Sequence, residues 1–370
     1  MKIHFSPGPA HNCLQCGASC YHSAIGPISD AEIERVEASS IREAMPHLPE
    51  PFWYEVSDAN SDRRYRFFKT ERAHCVFLTE DGRCGIHRHI GLSAKPLVCR
   101  TFPFVLTQTP TGLYAQNTIE CRVAREALTR SHEEAAEEIA GIWSDGPPAH
   151  YVIGDTVHLT LERSVSYGEY EVLEDELMAI IAQRELDYEE RLRRIASRVA
   201  AAGAIDGEPL DDEAYRAVIR GFSLALATLA RRCAGLDKEP LFSSRWLQLS
   251  EAAHSMVNWI NIPRLVLEPE AVELLERHLE NLLYGKMLIA KSVLADGVAL
   301  ARCQQFIVKG LAAYRAAQGY RHRVSGRDLN DAVLIVEFVG RTTPMVEFWN
   351  EHIETIRLLF LDAKPRRDSR

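Results

Sequence analysis

The chain has 370 residues, 46% hydrophobic and 26% charged, with a formal charge of -9 and a pI near 5.9. That length supplies enough apolar side chain for roughly two or three cored domains, and ordinary levels of charge and glycine exclude wholesale disorder. An acidic chain is a poor general nucleic-acid binder, since phosphate contacts need clustered Lys and Arg, so no nucleic-acid partner is expected.

The first residues, MKIHFSPGPAHNC, contain no apolar h-region and do not read as a signal peptide. The longest apolar run, Phe222 to Ala230, is far shorter than the ~20 residues of a membrane span, so no membrane partner is expected. The expected location is the cytoplasm. Thiols stay reduced there, and clustered cysteines signal metal or redox chemistry rather than disulfides.

Ser29 and Glu32 form a capping-box pattern that opens a helix, with Ile33 and Val36 starting its apolar stripe. The prolines of segment 45–52 predict a loop. Val76 to Leu78, Asp81-Gly82, and Arg83 to His87 suggest a hairpin around an Asp-Gly turn. Ser131 and Glu134 open a second capped helix that runs to about Trp143. Val157, Leu159 and Leu161 alternate with polar residues as a short strand does. Long helices follow from Glu169: one over 171–201, one over 211–234 closed by Gly235, one opening at Pro269, one over 298–318 ending at Gly319, and one from Thr343-Pro344. Acid is concentrated in residues 131–210, which hold 18 acidic and 6 basic side chains. This segment is read first as solvated helix faces, and as a surface able to attract a basic partner.

Cysteine usage marks the domain organisation. Seven of the nine cysteines fall between Cys13 and Cys121; only Cys233 and Cys303 lie beyond. The expected fold is therefore mainly α: a loop-rich, metal-binding cysteine domain over 1–130, then an all-α body over 131–370 with one short strand near 157–161. Cys13-x2-Cys16-x3-Cys20 gives two thiolates a tight turn from which to reach one metal, and Gly17 relaxes the backbone where that knuckle bends. Cys75, Cys84, Cys99 and Cys121 complete the candidate ligand set. His87 stands at a usable chelate spacing from Cys84, and His11, His22 and His74 lie close to cysteines. Seven thiols overfill one tetrahedral zinc site or one iron–sulfur cluster and underfill two. If Asp81-Gly82 centres a regular hairpin, Cys75 faces Arg88 and stands roughly 13 Å along the strand from Cys84, which would separate the two into different sites. Cys233 and Cys303 sit in amphipathic helices and read as buried thiols.

The runs CLQCGASC, HCVFLTEDGRCGIHRHIG, KPLVCRTFPF and ECR resemble the bacterial cysteine-cluster, zinc- or iron-chelating family, and within it the flagellin lysine-N-methylases. The resemblance covers roughly residues 11–125. Beyond it only the helical architecture and the runs ERHLENLLYGK and EFVGRTTPMVEFW are similar. It implies an iron–sulfur cluster, of the [4Fe–4S] kind, with zinc as the alternative, on Cys13, Cys16, Cys20, Cys75, Cys84, Cys99 and Cys121. In the methylase branch it implies methyl transfer from S-adenosylmethionine to a lysine-bearing protein substrate. The family's first motif often ends in paired cysteines, where this chain has Ser19-Cys20. Arg100, beside Cys99, is the candidate cofactor-binding residue, as a fixed charge near a cluster or a fork for a carboxylate.

The residues themselves do not point to methyl transfer. There is no Gly-rich fingerprint after a strand and no βαβ alternation, which excludes an ordinary Rossmann methyltransferase. The C-x3-C-x2-C order of radical S-adenosylmethionine enzymes is reversed here. A non-catalytic zinc- or iron-handling protein and a zinc-stabilised interaction scaffold stand as rival readings. No sequence feature fixes an oligomeric state.

Overall fold

The computed structural model describes residues 2–6, 9–12, 17, 25–57, 64–71, 74–117, 128–148, 150–205, 210–237, 240–259, 266–290, 292–340 and 342–361. It divides into two units. One comprises Ile3–Leu106 and Ala115–His150; the other comprises Met1–Lys2, Thr107–Tyr114 and Tyr151–Arg370.

In the N-terminal unit the elements are short. β1 (Ile3–Phe5), β2 (Ala10–His11) and β3 (Ile25–Ile28) lead to α1 (Asp30–Glu37). The capping box predicted for α1 is present: the Glu32 N–H donates to the Ser29 hydroxyl, and the Ser29 N–H donates to the Glu32 carboxylate at 2.8 Å. After α2 (Ile41–Ala44) the segment 45–52 is a loop as predicted, yet it buries Met45, Leu48 and Phe52. β4 (Trp53–Ser57) pairs antiparallel with β5 (Arg64–Phe68), and β3 lines the other edge of β5. β6 (Thr70–Glu71) pairs with β7 (His74–Cys75), and α3 (Gly85–Ile90), a 3-10 turn at Leu92–Ala94 and α4 (Leu97–Thr101) follow. Ile33, Val36, Ile41, Phe52, Phe68 and Phe77 are at the centre of the apolar core.

β8 (Phe104–Thr109) and β9 (Gly112–Asn117) come next, and the division between units falls inside both strands. β10 (Leu128–Arg130) pairs with β2, and α5 (His132–Ser144) begins at the predicted Ser131–Glu134 capping box. β11 (Tyr151–Val152) runs parallel to the Thr107–Gln108 part of β8.

The second unit is helical. Its hairpin, β12 (Thr156–His158) with β13 (Ser164–Ser166), places Val157 opposite Val165. The strand predicted near 157–161 is thus shorter than its alternation suggested, and Leu161 turns out to 73% exposure. The helix predicted over 171–201 is two helices, α6 (Tyr167–Ile181) and α7 (Tyr188–Gly203). Each has its own N-cap: Ser166 accepts from the Glu169 N–H, and Asp187 accepts from the Glu190 N–H. α8 (Asp212–Leu236) runs through Gly235 rather than stopping there, and Asp237 is its C-cap. α9 (Pro240–Trp259), β14 (Val266–Leu267), α10 (Pro269–Tyr284), α11 (Met287–Ala290) and α12 (Leu294–Gln318) follow, with Pro269 and Gly319 at their predicted boundary positions. β15 (Arg323–Val324) pairs parallel with β14, then α13 (Gly326–Gly340), α14 (Thr343–Glu351) and α15 (Ile353–Phe360) close the described chain. The fold is mainly α, as the sequence predicts. Among the described residues no helix is long and apolar enough to cross a membrane.

The helical unit buries charge as well as hydrocarbon. Lys286 is fully buried between α10 and α11, in left-handed backbone at φ +63°. Its ammonium pairs with Glu174 of α6 and lies 4.0 Å from the Tyr114 ring centroid, and Tyr170 donates to Glu174 at 2.8 Å. Burial pushes the Glu174 carboxyl above its usual range, against the pull of Lys286. Lys286→Met should therefore cost about 3–5 kcal/mol of unfolding free energy, since it strands a buried carboxylate. The double variant Lys286→Met/Glu174→Gln should recover part of that loss, as read from denaturant unfolding.

Candidate metal centre

Cys75, Cys84 and Cys99 lie among the described residues, whereas Cys13, Cys16, Cys20 and Cys121 lie outside them. Cys75, on β7, is buried in the apolar core, and Cys84 packs against that same core while half-buried. Three edge-to-face or tilted phenylalanines, Phe52, Phe68 and Phe77, stand in this core with centroids 4.7–5.8 Å apart. Cys99 is half-buried on α4.

The hairpin predicted around Asp81-Gly82 is reduced to a single bridge, Leu78 to Cys84. The Asp-Gly turn itself forms as predicted, with Gly82 at φ +76° and its N–H donating to the Thr79 carbonyl at 2.9 Å. After Cys84 the chain enters α3 instead of a strand, so Arg88 is helical and Cys75 pairs with Thr70. The 13 Å strand offset that separated Cys75 from Cys84 therefore does not exist. Instead the Leu78 N–H donates to the Cys75 carbonyl at 2.9 Å, and Leu78 bridges directly to Cys84.

Gly17, the residue after Cys16, joins this turn. Its φ is +66°, and a Cβ there would sit 1.8 Å from the Gly82 carbonyl oxygen and 2.8 Å from Leu78 Cδ1. Only glycine fits this approach. Gly17 thereby packs on the turn two residues before Cys84.

Several histidines lie close to the cysteines in sequence. His11 is buried on β2, and burial pushes its imidazole down to about 4, against Glu138 and with Arg130. Burial, then Lys95, holds the His87 imidazole below its ordinary range. His74 lies 3.3 Å from the Cys75 carbonyl through Nδ1. His22 is outside the described residues. Among the described residues no three His, Cys, Asp or Glu side chains gather as a metal site.

Arg100 is 12% exposed, and its Nη1 donates to Asp145 Oδ2 at 2.6 Å. Its Nε–H is buried with no hydrogen-bond partner. Glu32, seen in the sequence only as half of a capping box, also accepts from the Leu97 N–H at 2.5 Å. Sequence reasoning had no signal for either carboxylate at this place, because they lie 65 and 45 residues from their partners. Cys233 and Cys303 are buried inside α8 and α12, and burial pushes both thiols up.

Residues 12–122 match the CxxCxxCC family, described as "Putative zinc- or iron-chelating domain". That segment contains all seven candidate thiols and Arg100, and ends before α5. No curated protein and no solved structure matches the chain significantly. That match supports metal binding, of zinc or iron, by the first third of the chain.

Gly17→Ala should destabilise this unit by more than about 1–2 kcal/mol, from the left-handed backbone alone, with the carbonyl clash added. Metal bound per chain should fall with it. Thermal melting and metal analysis of the purified variant check both; an unchanged pair of values would contradict the packing at Gly82.

Proposed function

We propose that the cysteine domain holds one thiolate-bound centre, an iron–sulfur cluster of the [4Fe–4S] kind. The observation that carries this reading is the approach of Gly17 to Gly82, beside the core shared by Cys75 and Cys84. Cys16 is one peptide bond from Gly17 in sequence, which supports the reading that both cysteine groups serve one centre. Soft thiolates select zinc and iron–sulfur clusters among biological metals. The phenylalanine core supplies the dry surroundings that control solvent access to such a centre. The residues fit the group on two further counts: the cradle at Gly17 admits no side chain, and Arg100 keeps a buried donor one residue from Cys99. When bound, a cluster supplies one-electron redox chemistry; the chain's own part is to hold thiolates, exclude water and place positive charge. Zinc is the second reading, which the family description admits equally with iron.

Anaerobic protein made with iron supplied should contain about four iron atoms and four sulfides per chain. One tight zinc and no sulfide would overturn the cluster in favour of zinc. Cys84→Ser should lower metal content and unit stability together, because metal-binding energy in such a site is folding energy. Cys303→Ser should leave metal content unchanged, at some cost in stability from a buried hydroxyl.

A more specific activity, methyl transfer from S-adenosylmethionine to a lysine-bearing protein, is supported by the resemblance of the cysteine motifs. The acidic run 131–210 suits a basic substrate. Calorimetry of S-adenosylmethionine with the metal-loaded chain tests it. Failure to bind with the centre intact removes the activity and leaves metal handling as the account.

A further inference from the structure

We propose that α4 is a mount for Cys99: Glu32 and the Arg100–Asp145 pair are positioning residues that hold this thiol as a metal ligand without ligating the metal themselves. The inference rests on the thiolate centre proposed above.

A five-residue helix has too few internal hydrogen bonds to persist alone. Within α4 the Cys99 and Arg100 N–H groups donate to the Pro96 carbonyl at 2.9 and 3.0 Å, which closes a single turn. The Phe102 N–H adds a bond to the Val98 carbonyl at 3.2 Å and the Thr101 hydroxyl one to the Leu97 carbonyl at 2.8 Å, and two carboxylates hold the turn from outside. At the N-terminal end, Glu32 Oε1 accepts from the Leu97 N–H at 2.5 Å, while Oε2 stays in the capping box with Ser29. Glu32 is itself fixed, because α1 buries Ile33 and Val36, which follow it, in the core. At the C-terminal end, Asp145, the C-cap of α5, pairs with Arg100.

The pair also explains why Arg100 can be largely buried, since a desolvated guanidinium needs a counter-charge. Its leftover Nε–H is a charged donor without an acceptor. A thiolate centre at the neighbouring residue supplies negative charge and sulfur acceptors of the kind such a donor favours. Asp145 lies beyond the segment that matches the chelating family, so the mount is assembled from outside that segment as well as within it.

The test uses the full chain, prepared anaerobically and loaded with iron or zinc, with chelator competition as the readout. E32Q and D145N should each weaken metal binding by about 10–100-fold, the usual effect of partners that orient a ligand. C99S should weaken it too, and D145N/C99S should be no weaker than C99S, because the mount acts only through that thiol. D328N, which breaks the Arg321–Asp328 pair in the helical unit, is the control. It should lower the melting temperature and leave metal affinity alone. If D145N and E32Q melt earlier yet bind metal as tightly as the wild type, or if D145N and C99S add fully, the mount is overturned and the contacts are only structural. A wild-type chain that holds no metal overturns the proposed centre itself, and the mount with it.

Discussion

The packing of Gly17 on the Gly82 carbonyl is the constraint on which the cysteine domain turns. No Cβ can stand between them, and both residues need the left-handed backbone that glycine tolerates. Gly82 makes the tight turn after Thr79, and that turn delivers Cys84 to the start of α3. Gly17, the residue after Cys16 in sequence, packs on that same turn. Without this approach, two thiol groups some sixty residues apart in sequence would have no common address. Fixing two such groups together costs conformational entropy that short strands and helices repay poorly, and under the proposed thiolate centre metal binding would supply the missing free energy.

Much of this was legible in the sequence, and the limits are instructive. Capping boxes at Ser29 and Ser131, Pro269 at a first turn and Gly319 past a last one rest on local hydrogen bonding and φ preference, so they survive in the fold. The Asp81-Gly82 turn survived for the same reason. The strand expected after it did not, because Ile86 had to join the core with Phe77 and Ile41, and a helix places it there. The split of 171–201 was also local: Asp187-Tyr-Glu-Glu190 is an N-cap pattern inside a continuous helical period, and the cap prevails. At Gly235 the opposite happened, and helix continuity overrode a favoured stop.

The candidate site shows the same division. The thiols were readable because cysteine is rare and their spacing is dense. Their support was not, since Glu32 and Asp145 are ordinary surface carboxylates until the fold brings Leu97 and Arg100 to them. Arg100 was read as a charge for a cofactor or substrate; the fold commits one of its terminal nitrogens to Asp145 and leaves Nε over. In the helical unit, likewise, nothing in the run Tyr284-Gly-Lys286 announces a buried ammonium among tyrosines, because that environment is assembled from α6 and β9 as well as the α10–α11 turn. Composition and period report on one element at a time, and these contacts belong to several.

The proposed centre draws thiolates from both cysteine groups onto one metal site. X-ray absorption at the metal edge of anaerobically prepared full-length protein tests it most directly. The account predicts a first shell made of sulfur at about 2.3 Å, with a metal–metal scatterer behind it if the centre is a cluster. A first shell of nitrogen and oxygen alone would contradict it.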